Sequence, residues 1–133
     1  MSKIYLAINN APDKLLGYVK DDGEIYLSKP GFDKHIGHVD LASGKIYAKR
    51  FGPDKAIGRV DLKSGKVYHR RFGPDEYMGN VDGDGRMHRH VPRGHDEYIG
   101  KADPFISYAH AGGGMLMLLL PALEPENKPQ SEA

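Results

Sequence analysis

Apolar positions in this chain come in short, evenly spaced sets. Ile4, Ile25, Ile46, Val67 and Met87 form one series. Leu16, Ile36, Ile57, Met78 and Ile99 form a second, each directly before a glycine, and Val19, Val39, Val60, Val81 and Ala102 follow that glycine two places on. Between them stand Asp, Ser and Gly. β-Branched and aromatic residues bounded by such turn formers predict strands. The segments are too short, and too regularly cut by turns, for helices. Ten short strands are expected, the first at residues 3–5 and the last at 100–102.

The sets belong to an internal repeat. HIGHVDLASGKIYAKRFGPDK (35–55), AIGRVDLKSGKVYHRRFGPDE (56–76) and YMGNVDGDGRMHRHVPRGHDE (77–97) are near copies, with a degenerate copy on each side. The glycines fall at Gly17, Gly37, Gly58, Gly79 and Gly100, spaced by 20, 21, 21 and 21 residues. An aromatic follows the first apolar series at Tyr5, Tyr26, Tyr47 and Tyr68, and His88 holds the fifth slot. A repeat of this length, carrying two strands per unit, predicts one supersecondary element used five times.

The turns differ in kind. Asp40 to Lys45 and Asp61 to Lys66 read as tight hairpin connections, with a glycine able to take positive φ and an aspartate able to bond the loop backbone. Phe51-Gly52-Pro53-Asp54 and Phe72-Gly73-Pro74-Asp75 carry a proline that stops strand pairing. The in-strand glycines lie between apolar positions that strict alternation would send to opposite faces, so each marks a bulge or the close approach of another backbone. Whole units suggest a closed ring, which removes sheet edges. Propeller blades need four strands, so a flower-like or barrel-like ring is the expected all-β fold.

The recurring Ile-Gly-x-Val-Asp and Ser-Gly-Lys-Ile-Tyr segments resemble the hairpin repeats of bacterial β-flower proteins, over residues 3–103. The resemblance implies hairpins set as petals about a pseudo-symmetry axis. It implies no activity and no catalytic residues.

Three regions are expected: a five-unit β-repeat domain (1–103), an apolar C-terminal segment packed on it (104–123) and a disordered tail (124–133). Asp103-Pro104 reads as an N-cap with proline at the first helical position. Gly112-Gly113-Gly114 weakens the helix, and Pro121 is its natural stop. The segment is too short to span a bilayer, which takes about 20 residues. Residues 105–120 are expected to fold back as a plug or strap over one face of the ring, or onto a second copy of the chain. The competing use is a membrane-surface anchor.

Composition narrows the chemistry. Of 133 residues, 19 are basic and 18 acidic, a net charge of +1 that leaves no nucleic-acid footprint. Cysteine is absent, which excludes thiolate metal sites and thiol nucleophiles and points to the cytoplasm. No metal or cofactor is expected: His88 and His90 share a strand face, but spacing supplies no third ligand. The Asp-Gly loops lack the full calcium pattern.

One functional pattern remains. Lys49-Arg50, His69-Arg70-Arg71, and Arg86, His88, Arg89, His90 and Arg93 fall in the same part of successive units. Arg70, Arg71, Arg86, His88, Arg89 and His90 are therefore the candidate binding residues, for an anionic ligand or a protein partner. The expected function is a non-catalytic binding or structural module. The alternatives are a small enzyme in the degenerate fifth unit, with His88 or His90 as general base, and a membrane-associated protein held by residues 105–120.

Overall fold

The computed structural model describes residues 1–123; the predicted disordered tail lies outside them. Ten antiparallel strands, β1 (Ser2–Leu6), β2 (Lys14–Val19), β3 (Glu24–Lys29), β4 (Phe32–Val39), β5 (Lys45–Ala48), β6 (Lys55–Val60), β7 (Lys66–His69), β8 (Glu76–Val81), β9 (Arg86–Arg89) and β10 (Glu97–Asp103), form a closed barrel. Each strand pairs with its sequence neighbours, and β1 pairs with β10 to close the ring.

The bulge reading of the glycines holds in every unit. Register shifts occur at Ile4/Tyr5, Ile25/Tyr26, Ile46/Tyr47, Val67/Tyr68 and across Tyr98/Gly100. The unpaired extra residues are Leu16, Ile36, Ile57, Met78 and Ile99. Bulging lets that apolar residue and the later valine share the inner face, which alternation alone would forbid. Inside, pairs across adjacent strands ring the lumen: Val19–Ile25, Val39–Ile46, Val60–Val67, Val81–Met87 and Ala102–Ile4. All ten are buried, and for the nine larger than Ala102 burial contributes roughly 1.5–3 kcal/mol each.

The C-terminal segment runs through the lumen. It does not lie across one face of the ring. It is helical from α1 (Tyr108–Gly114) through a π-helical stretch (Met115–Leu119) to α2 (Leu120–Leu123). The three glycines expected to weaken the helix are what admits it. A Cβ on Gly112 would stand 2.5 Å from Val60, on Gly113 3.0 Å from Val39, and on Gly114 2.4 Å from Ile4.

Past the glycines, five successive helix residues reach the five bulge glycines in order around the wall: Met115 to Gly79, Leu116 to Gly58, Met117 to Gly37, Leu118 to Gly17 and Leu119 to Gly100. Five-fold spacing asks for about 72° per residue. An α-helix of 3.6 residues per turn advances about 100°. Widening to i→i+5 bonding, seen where Leu120 N–H donates to Met115 O, brings the helix closer to the barrel's own period.

Two terminal readings are corrected. Asp103 is not the N-cap: it pairs with Lys3 as the last residue of β10, and the Pro104 carbonyl accepts from Ser2 Oγ at 2.7 Å. Ser107 caps the helix, extended in backbone, with its Oγ accepting from His110 N–H. Pro121 does not stop the helix either, because it lies within α2 beside the π-helical stretch. No helix among the described residues is long and apolar enough to cross a membrane.

Candidate functional site

With the lumen filled, chemistry is left to the outer wall and the two ends. The wall carries one aromatic row per unit. By register Tyr18 faces Tyr26, His38 faces Tyr47, Arg59 faces Tyr68, Asn80 faces His88 and Lys101 faces Tyr5. The Tyr18 and Tyr26 rings stack with centroids 5.3 Å apart, and the Arg59 guanidinium lies 4.0 Å from the centre of the Tyr68 ring.

A carboxylate four residues before each unit's glycine folds onto this wall. Asp13 meets Lys101 at 3.7 Å, Asp54 meets His38 at 3.3 Å and Asp75 meets Arg59 at 3.2 Å. Asp33 accepts from the Tyr18 hydroxyl at 2.9 Å, and that bond holds the phenol above its ordinary pKa. In the last of these pairs Asn80 stands where the donor would be, and Asp96 turns to His90 at 3.5 Å. This series was legible in the spacing Asp13, Asp33, Asp54, Asp75 and Asp96, but only the register shows what each carboxylate faces.

The sequence-predicted basic residues do not converge. Arg70 and Arg71 sit in the β7–β8 turn. Arg86 opens β9 at the other end of the barrel. His88 lies on the outer wall, its ring centroid 5.8 Å from that of Tyr98. Arg89 is ion-paired with Glu97, and His90 packs on Tyr77 beside Asp96. Arg71 also has a partner, Glu76, at 2.5 Å.

Arg70 and Arg71 do line a groove of about 880 Å3, between the β5–β6 wall and the β7–β8 turn. Lys45, Lys55, Arg59 and His69 border it too, with Asp75 as the acid. Arg59 already holds Asp75, so the cations outnumber the free carboxylates there. His69 Nδ1 donates to the Arg70 carbonyl at 2.9 Å.

The groove exists twice. A second one, of about 530 Å3, is bordered by Lys34, His35, Ile36, Lys49, Arg50, Phe51 and Gly52. Each of these residues precedes by one 21-residue repeat a residue of the first: Lys55, Ala56, Ile57, Arg70, Arg71, Phe72 and Gly73. Lys34 and Lys49-Arg50, which the candidate set omitted, are thus the equivalents of Lys55 and Arg70-Arg71. The fifth unit loses the pattern, with Val91-Pro92-Arg93 at the matching turn.

No grouping of three or more His, Cys, Asp or Glu placed to hold a metal ion occurs among the described residues. Comparison with family models, curated proteins and solved structures finds no match to this chain.

Proposed function

We propose that the chain is a non-catalytic binding module that takes anionic groups in the paired grooves at the β4–β8 side of the barrel. The observation that carries this reading is the repetition of one cationic groove in two successive units, each with a lysine on its strand and a basic pair in its turn. Catalytic sites arise from unique arrangements, whereas a twice-used surface suits a repeated contact. The loop carboxylates that would oppose an anion are drawn onto the wall by His38 and Arg59. The cysteine-free composition supports a cytoplasmic setting.

Calorimetric titration with inorganic tripolyphosphate tests the reading. Binding should weaken with added salt. Lys55→Glu and Arg70→Glu should each lower it, while Arg86→Glu, at the far end, should not. Equal loss in the Arg86 variant would point to general charge attraction and sink the groove.

A further inference from the structure

The two grooves end in an unusual pair of side chains. Phe51 and Phe72 are more exposed than any other large hydrophobic residue described, at 106% and 108% of the reference accessible area. Each stands at the tip of a hairpin, followed by a glycine at φ +94 with nothing near the position of a Cβ. The tips belong to adjacent units of one register, so they project from the same end of the barrel. Phe32, 62% exposed, opens β4 at that end as well. A phenylalanine in water is costly, and one that packs on nothing contributes nothing to the fold.

Charge is arranged to match. Lys49 and Arg50 directly precede Phe51, and Arg70 and Arg71 precede Phe72. At the opposite end the strand-connecting turns carry Asp21, Asp22, Asp40, Asp61, Asp82 and Asp84, against Lys20 and Lys63, and the strands that leave them open on Glu24, Lys45, Lys66 and Arg86. The described turns therefore differ in kind: Lys49-Arg50-Phe51 and Arg70-Arg71-Phe72 make two of them basic and aromatic at one end, while aspartates lead those at the other. An apolar tip flanked by cations is the chemistry of an anionic membrane surface, where rings enter the headgroup layer and cations meet lipid phosphates.

We propose that this end of the barrel docks on an anionic lipid membrane, with Phe51 and Phe72 inserted and the two basic grooves on the headgroups. This rests on the anion-groove reading and names the source of the anions. The wall does not enter the bilayer, since its strands are 4 to 8 residues long and Lys45, Arg59 and Lys66 are on or beside its outer rows. Nucleic acid is less suited: stacking on bases needs an open aromatic platform, whereas most wall tyrosines are half-buried against neighbouring rings and cations and the two phenylalanines stand alone. A protein partner would need a packed apolar patch with a closed rim, which two separate tips do not form.

The test is co-sedimentation of the full chain with phosphatidylcholine vesicles, with and without phosphatidylglycerol. Binding should require the anionic lipid and weaken at high salt. Phe51→Ser and Phe72→Ser should each lower partitioning by roughly tenfold, the value of one lost ring. Neither should change the unfolding midpoint. The chain has no tryptophan, so Phe72→Trp gives a single reporter whose emission should shift to the blue only with anionic vesicles. Vesicle binding unaffected by the serine variants would overturn insertion, and so would preferential binding to a single-stranded oligonucleotide. Self-association abolished by the same serine variants would assign the tips to a second copy and overturn the proposal too. Tripolyphosphate binding without vesicle binding would sink the membrane and leave the grooves standing; failure of both would sink both.

Discussion

At one end of the barrel, the turns after β4 and β6 are tied down from every side. Asp40 Oδ1 accepts from Ala42 N–H at 3.0 Å, and Asp61 Oδ1 accepts from Lys63 N–H at 2.9 Å. Gly44 and Gly65 accept from the next unit's Val60 and Val81 N–H through their carbonyls. At the other end, the turns after β5 and β7 are held at their bases by Asp54 and Asp75, but their Phe-Gly tips are bare, and Gly52 and Gly73 have open space around them. The same repeat unit thus builds a bonded end and a bare end. The difference teaches where each kind of selection acts: the bonded turns hold the ring, and the bare ones are free to carry a basic, aromatic surface.

The largest loss of stability should come from the helix that joins the two ends. Leu119→Ala removes a fully buried side chain set against Gly100. Urea unfolding should register a loss of about 2–5 kcal/mol; a loss no larger than that of a turn variant would show that the helix is not part of the core.

The next test sets the two ends against each other. Gly65 and Gly73 both have positive φ, at +80 and +94. A Cβ on Gly65 would meet the Val81 carbonyl oxygen at 2.2 Å and the Tyr108 ring at 2.9 Å, whereas on Gly73 it meets nothing within 4 Å. Gly73→Ala should cost only the backbone penalty, about 1–2 kcal/mol. Gly65→Ala should cost clearly more by the same unfolding measurement. Equal costs would erase the distinction between a bonded and a bare end.

The smallest effect is on pH dependence. Backbone N–H donors in the turns hold the Asp40 and Asp61 carboxyls below the ordinary value of 3.8, Ala42 being the main donor to the first and Lys63 to the second. A lowered folded-state pKa stabilises the fold fully above the unfolded value and loses that contribution as pH falls through the folded one. Stability should therefore decline below about pH 3.8, and Asp61→Asn should flatten the decline slightly, as followed by thermal melts across the acid range. An unchanged slope would mean that the turn carboxylate does not report on folding.

Much of this was legible before any coordinates. The five glycines, the apolar series before and after them, and the Tyr5, Tyr26, Tyr47 and Tyr68 positions specify five two-stranded units with a bulge in each. Local chemistry determines those features, because turns, bulges and strand propensity act over a few residues. The basic pairs at Lys49-Arg50 and Arg70-Arg71 were visible too, although Arg86, His88, Arg89 and His90 looked equally eligible. The strand register and the loops separated them: they set Arg70 and Arg71 along one groove and left Arg86, His88, Arg89 and His90 outside it.

The sequence named residues 105–120 as the apolar segment that packs on the ring, but it could not decide that they run through the lumen as a helix. Gly112-Gly113-Gly114 reads locally as a weak helix, since glycine loses more entropy than alanine in helical form. In the lumen the same three residues are what lets a helix pass Ile4, Val39 and Val60, and the cost in propensity is offset by packing. The π-helical turn beyond them is likewise set by a wall of five repeats made elsewhere in the chain. Strand units and turns were determined by neighbours in sequence; the helix path, its period and the exposure of Phe51 and Phe72 were decided only when distant segments met, because steric fit inside a closed ring is a property of the whole circumference and not of any one unit.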